Sequence, residues 1–80
     1  MKTEELNEYY NRVFIRWQNQ IQPDFCHTIQ EALEVIKKVN SFNRTGQYHI
    51  ITPYCKYVVT DPNKMELKKI QTFTEFNTIR

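Results

Sequence analysis

Four side chains in this sequence have the chemistry of metal ligands or catalytic groups: Cys26, His27, His49 and Cys55. Zinc sites usually take two ligands from a tight pair of Cys or His residues separated by about two to five positions. Here Cys26 and His27 are adjacent, and Pro53 interrupts the segment between His49 and Cys55. A thiol nucleophile would need His49 within hydrogen-bond reach and a third group to orient the imidazole. Because the spacing supplies neither arrangement, we predict no metal, no cofactor and no catalytic residue, and hence a protein that is not an enzyme.

The composition argues against several other classes of function. The single glycine, Gly46, cannot build a phosphate cradle or dinucleotide fingerprint, because these need several glycines at fixed spacing. Two cysteines do not make the disulfide framework of a small secreted protein. No apolar run approaches the roughly 18 residues of a membrane span, and the polar N-terminus does not resemble a signal peptide. We therefore expect a cytoplasmic protein without a membrane partner.

Charge and aromatic residues point instead to binding. Residues 1–34 hold six acids and three bases, a balance of −3, whereas residues 35–80 hold eight bases and three acids, a balance of +5. Such asymmetry is typical of a basic surface for an anionic partner. Aromatic and basic residues also alternate along the predicted strands, as in small folds that stack single-stranded nucleic acid on a sheet. These residues are Arg16, Trp17, Tyr48, His49, Tyr54, Lys56, Tyr57, Lys69 and Phe73.

The firmest structural prediction is one amphipathic helix over residues 28–41. Thr28 and Glu31 have the spacing of a capping box, in which each side chain can satisfy a backbone N–H of the first helical turn. Apolar residues then recur at steps of three and four, which places them on one helical face. They are Ile29, Ala32, Leu33, Ile36 and Val39.

The segment 6–21 can be interpreted in two ways. As a helix, it would carry an apolar stripe from Leu6 to Ile21, with Ile15 outside the stripe. As a strand, it would alternate Val13, Ile15 and Trp17 with more polar residues, and its β-branched and aromatic side chains favour a pleated sheet. The sequence favours a strand over residues 10–18, with the helix as the alternative.

Turn residues divide the remaining chain. Pro53 separates predicted strands over 48–52 and 54–60, and a turn over 61–64 leads to a third strand over 65–73. The tail 74–80 is predicted to be loosely held. The result is one α+β domain over residues 1–80, with an antiparallel sheet of three to four strands and the helix 28–41 packed on one face. If residues 3–21 are helical, the order becomes α-α-β-β-β.

The chain resembles, in its general character, the small accessory and anti-defence proteins of bacteriophages and mobile elements. It has 80 residues, one glycine, and seven asparagines, seven lysines and eight isoleucines, which is typical of an AT-rich genome. The resemblance implies a small interaction module that binds a host or cognate protein and modulates or inhibits it. The alternative is a protein that binds single-stranded RNA or DNA, and a second copy of the chain is a further candidate partner. The predicted partner-binding residues are Arg12, Arg16, Trp17, Tyr54, Lys56, Lys68 and Lys69.

Overall fold

The computed structural model describes residues 3–42 and 46–73, which form a five-stranded antiparallel sheet and two helices. The strand order is β2-β1-β3-β4-β5. This architecture confirms the predicted α+β class, with one strand more than the three to four expected. The elements are α1 (Thr3–Leu6), β1 (Phe14–Trp17), β2 (Gln20–Ile21), α2 (Ile29–Asn40), β3 (Tyr48–Ile51), β4 (Cys55–Asp61) and β5 (Glu66–Thr72).

Helix α2 confirms the predicted helix, with Thr28 and Ser41 as its caps. The backbone N–H of Glu31 donates to Thr28 Oγ1 at 3.0 Å, which satisfies one amide of the first turn. The Glu31 carboxylate accepts a bond of 2.7 Å from the backbone N–H of His27. The return bond of the capping box therefore goes to the residue before the cap, which fixes the incoming chain.

Strand β1 resolves the ambiguity of segment 6–21 in favour of the strand. Residues 14–17 pair with β3, and Arg16 and Trp17 also pair with β2. A single helix over residues 3–21 is therefore wrong, and only Thr3–Leu6 of this segment is helical. Ile15, which falls outside the helical stripe, is buried beside Val13. The alternation of buried and exposed positions explains its burial, because Phe14 and Arg16 point to the other face.

Strand β2 is the strand that the sequence analysis missed. It pairs with β1 in a tight hairpin, with Trp17 opposite Gln20 and Arg16 opposite Ile21. The two connecting residues, Gln18 and Asn19, have φ values of 53° and 65°. Positive φ at both central positions is the geometry of a type I′ turn. Such turns are usually signalled by a glycine, which is absent here.

The hydrophobic core lies between α2 and one face of the sheet. Helix α2 contacts β1 and β3, and α1 contacts α2 on the same side. The residues packed between them include Val13, Ile15, Cys26, Ile29, Ala32, Leu33, Ile36, Tyr48, Ile50, Tyr57 and Val59.

The opposite face of the sheet carries neither helix, and we call it the open face. Alternation along the strands assigns its residues. They include Phe14, Arg16, Ile21, His49, Ile51, Lys56, Val58, Lys68 and Gln71.

The three remaining strands lie where the turn residues predicted them. Pro53 lies in the β3–β4 turn, where Thr52 Oγ1 accepts from the backbone N–H of Tyr54 and Cys55 at 3.2 and 3.0 Å. The β4–β5 turn is held by Asp61, whose carboxylate accepts from the backbone N–H of Lys64 at 3.2 Å. The prediction for the tail 74–80 lies outside the described residues.

Candidate functional site

Three of the four groups with metal-binding or nucleophilic chemistry are divided between the two faces of the sheet. Cys26 and Cys55 lie on the helix side and are both free thiols, whereas His49 lies on the open face. Burial, followed by the charges of Glu31 and Asp24, raises the pKa of the Cys26 thiol, which opposes thiolate formation. Within residues 3–42 and 46–73, no three His, Cys, Asp or Glu residues come together as a metal site requires.

Most of the aromatic residues expected on an exposed sheet lie on the helix side. Tyr48 and Tyr57 are only 1% exposed. Trp17 is half-buried and stacks on Tyr48, with ring centroids 6.1 Å apart. A Cβ added at Gly46 would lie 3.1 Å from the Trp17 indole nitrogen. These three rings are therefore packed as structural residues, and Tyr54 and Phe73 lie outside the strands.

A continuous series of rings, with one guanidinium among them, extends from β1 across the end of the open face. The Arg12 guanidinium carbon lies 4.8 Å from the Phe14 ring centroid and 4.6 Å from that of Phe25. Phe25 meets His27 edge to face at 4.8 Å, and His27 stacks on Tyr9 at 4.9 Å. We call these five residues the ring ladder. Each contact lies within the range of favourable aromatic or cation–π interactions.

Backbone bonds between two segments hold the ring ladder in place. The N–H of Val13 donates to the carbonyl of Cys26, and that of Tyr10 to the carbonyl of His27, both at 2.8 Å. His27 Nδ1 lies 3.0 Å from the Tyr10 carbonyl oxygen. Because that oxygen can only accept, Nδ1 carries the proton, which fixes the orientation of the ring. The ladder is thus ordered before any partner arrives.

The ring ladder is also accessible. Tyr9 is 65% exposed, Phe25 63% and Phe14 37%. Single exposed apolar residues are common on proteins, but contiguous ones indicate an interaction surface. Of these five residues, only Arg12 was predicted from the sequence as a binding residue. Phe25 follows Pro23-Asp24 in a polar loop. A large aromatic residue in such a loop was the feature of the sequence that could have indicated a binding residue.

Tyr54 lies beside the ring ladder. Together with Tyr9, Tyr10 and Pro53 it lines a cleft of about 250 Å³. The rings of Tyr10 and Tyr54 are 6.0 Å apart and tilted. This predicted site residue therefore extends the aromatic surface past Tyr9, although it belongs to the β3–β4 turn rather than to a strand.

Three of the predicted cations share the open face. Arg16, His49, Val58 and Lys68 are paired in one row across four strands, and Lys56 is paired with Ile51. Among the described residues, Arg16, Lys56 and Lys68 form no ion pair with a carboxylate. The side chains paired with them on this face are those of Ile21, His49, Ile51, Val58 and Gln71. Alternation adds Glu66, two residues before Lys68 on β5, and Phe14 at the end of the face.

Lys69 lies on the other side of the sheet. Its ammonium group is 3.2 Å from Glu5 Oε2, an atom that also accepts from the Tyr57 hydroxyl at 3.1 Å. The hydrogen bond from Lys69 lowers the pKa of Glu5 and raises that of Lys69 itself. Lys69 and Trp17 are therefore separated from Arg16, Lys56 and Lys68, which share the open face, while Arg12 belongs to the ring ladder.

No family model matches this chain, and no curated protein or solved structure matches it at a significant level. Within the described residues, no helix has the length and apolar character needed to cross a bilayer.

Proposed function

We propose that this chain is a small non-enzymatic module that binds a host or cognate protein in the cytoplasm and modulates or inhibits it. The observation that supports this most strongly is the ring ladder. Binding energy at protein interfaces concentrates in a few aromatic and arginine side chains. The ring ladder consists of side chains of these types, together with His27. The free thiols of Cys26 and Cys55 suit a reducing compartment.

Arg12 is the centre of the proposed interface. Its guanidinium is enclosed by the rings of Phe14 and Phe25, so little of its side-chain freedom remains to be lost on binding. Its Nε is buried without a hydrogen-bond partner among the described residues. A partner carboxylate or carbonyl that reaches the rest of the guanidinium would gain a charge-assisted bond. We infer that the partner presents an acidic surface here.

Single-stranded nucleic acid is the competing partner, supported by Arg16, Lys56 and Lys68 on the open face, which form no ion pair within the described part of the chain. Stacking on a sheet needs exposed rings between the cations. On this face the neighbours are Ile51 and Val58, and Tyr48 and Tyr57 are buried on the other. This arrangement favours a protein partner over nucleic acid.

A second copy of the chain is a less favourable partner. Strand β5 is the longer edge of the sheet and its residues are largely exposed. Antiparallel pairing of two β5 strands would bring Lys68 and Lys69 of each copy close together, and like charges across a pair are destabilising. We therefore expect a complex with a different protein.

The test is affinity purification from the native host, with nuclease treatment, using the parent chain and three variants. Phe25→Ala and Arg12→Ala each remove part of the ring ladder. Phe42→Ala removes an equally exposed ring at the end of α2 (68% exposed) and is the matched control. We expect one protein at fixed stoichiometry with the parent and Phe42→Ala, and its loss with both ladder variants. Equal retention by all four chains, or nuclease-sensitive capture, would contradict the proposal.

A further inference from the structure

An open cavity on the open face is lined only by residues whose side chains can donate a hydrogen bond. It has a volume of about 390 Å³ and is lined by Arg16, Gln18, Asn19, Gln47, His49 and Lys56. These are two cations, one imidazole and three amides, with no Asp or Glu in the lining. We propose that this cavity binds a phosphate dianion, either inorganic phosphate or the phosphate monoester of a phosphorylated side chain. This site is independent of the protein partner proposed above.

The strand register brings the charged groups together. Arg16 lies directly opposite His49, which separates their Cβ atoms by about 4.5–5.5 Å. Lys56 lies on β4 two residues before Val58, the partner of His49, so it is a diagonal neighbour at about 7–8 Å. The planar fork of Arg16 can bind two oxygens of one phosphate, and Lys56 adds a point charge.

The hairpin turn between β1 and β2 supplies the amides. Gln18 and Asn19 both adopt positive φ, and the turn places them beside Gln47 at the rim of the cavity. A left-handed conformation is unfavourable for a residue with a long side chain such as Gln18. Amide N–H groups at these positions can donate to the phosphate oxygens that Arg16 and Lys56 leave free.

The pKa of His49 should change with the charge of a ligand bound in the cavity. Burial, then the charges of Lys56 on β4 and Arg16 on β1, lower the pKa of His49. These are the charged groups that line the cavity beside it. A bound dianion would oppose their field and raise the pKa of His49. A monoester carries about −1.5 to −2 charges at neutral pH, whereas a phosphodiester carries about −1, so the cavity should prefer the monoester.

The first experiment is an NMR titration at constant ionic strength with inorganic phosphate, dimethyl phosphate and sulfate. We expect saturable shifts of His49 and of the side-chain amide of Gln18 with phosphate, and roughly tenfold weaker binding of dimethyl phosphate because of its lower charge. Sulfate, which stays a dianion throughout, should raise the pKa of His49. An unchanged His49 pKa at saturation would overturn the proposal. Equal binding of dimethyl phosphate would also overturn it and would indicate a nucleic-acid backbone.

The second experiment compares substitutions inside and outside the cavity. Arg16→Gln and Lys56→Gln should each weaken phosphate binding by about tenfold, as expected for the loss of a charged hydrogen bond. Lys68→Gln removes a cation of the same face outside the cavity lining and is the matched control. An equal loss with Lys68→Gln would show general attraction to a basic face and would refute the site. A phosphoserine peptide that binds more tightly than inorganic phosphate would assign the ligand to a phosphorylated protein, and equal affinity would assign it to free phosphate.

Discussion

At the scale of single residues, Thr28 joins the most predictable element to the ring ladder. Its hydroxyl oxygen caps α2, and Glu31 returns a bond to His27, which is itself a ladder residue. Thr28→Ala should lower the free energy of unfolding by about 0.5–2 kcal/mol, because an amide of the first turn loses its acceptor. Thr28→Ser keeps the acceptor and should stay near the parent. Urea unfolding of the three proteins checks this, and equal midpoints would contradict it.

Glu5 should make the stability of the fold depend on pH in the acidic range. Its pKa is lowered mainly by the bond to Lys69, with a further contribution from the Tyr57 hydroxyl. A folded-state pKa below the unfolded value, which is about 4.3, stabilises the fold above that value. The stabilisation is then lost as the pH falls through the folded-state pKa. The side chain is one-third exposed, so its contribution is about 1 kcal/mol or less.

Glu5→Gln should therefore lose less stability than the parent between neutral pH and about pH 3. Glu4→Gln changes the neighbouring exposed carboxyl and should retain the acid dependence of the parent. Thermal unfolding across this range measures the difference. A Glu5→Gln curve parallel to that of the parent would show that the contact with Lys69 contributes nothing.

Individual site residues were less predictable than the helix cap. Arg12 was predicted from its charge. Phe25 belongs to no periodic pattern, and Tyr9 belongs only to the helical stripe that the structure contradicts. The contacts of both rings join two separate segments of the chain. A capping box is local, since Thr28 and Glu31 are three residues apart. The ring ladder depends on the bridge between Val13 and Cys26, which spacing along the chain does not reveal.

At the scale of elements, helix α2 provides the main apolar contact with the sheet. Leu33 and Ile36 are buried, and Leu33→Ala should lower the free energy of unfolding by about 2–5 kcal/mol, because it removes buried methyl groups and leaves a cavity. Lys38→Ala, on the exposed side of the same helix, should change it by less than about 0.5 kcal/mol. Denaturant unfolding compares the two, and a parent-like midpoint for Leu33→Ala would show that this face is not buried.

In the hairpin between β1 and β2, a substitution is expected to stabilise the fold rather than destabilise it. Gln18 has a φ of 53°, so Gln18→Gly should stabilise the fold by about 0.5 kcal/mol through relief of the left-handed conformation. Gln20→Gly, in the adjoining strand, should destabilise it instead, because glycine weakens a strand. Thermal unfolding gives the sign of each change. Destabilisation by Gln18→Gly would show that contacts of the Gln18 side chain outweigh the backbone strain.

These elements also show which signals a sequence carries. Pro53 and the segment Asp61-Pro62 marked the ends of β3 and β4 because proline restricts the backbone directly. The turn at Gln18-Asn19 contains neither glycine nor proline, and β2 has only two residues, too few for a periodic pattern. The fifth strand was therefore not predictable from local pattern.

At the scale of the whole molecule, the sequence predicted the layers but not which face stays open. Strand alternation defines two faces, and only packing decides which one α2 covers. Tyr48 and Tyr57 went to the helix side, where their large ring area is removed from water. Arg16, Lys56 and Lys68 were left on the open face. The predicted combination of stacked rings and cations is consequently split between the two faces.

This division of rings and cations between the two faces predicts a low affinity for single-stranded nucleic acid. Cations with no exposed ring between them should attract single strands only weakly, with a dissociation constant above about 1 μM at physiological salt. The log–log salt slope should fall by about 0.7 for each phosphate contact removed by Arg16→Gln or Lys68→Gln. Tyr48 and Tyr57 cannot add the roughly 1–3 kcal/mol per stacked base that exposed rings supply. A titration of labelled single-stranded oligonucleotide at about 0.15 M salt measures these quantities. Submicromolar affinity that depends on Arg16, Lys56 and Lys68 would contradict the protein-binding proposal, since it would show that the open face binds nucleic acid without stacking.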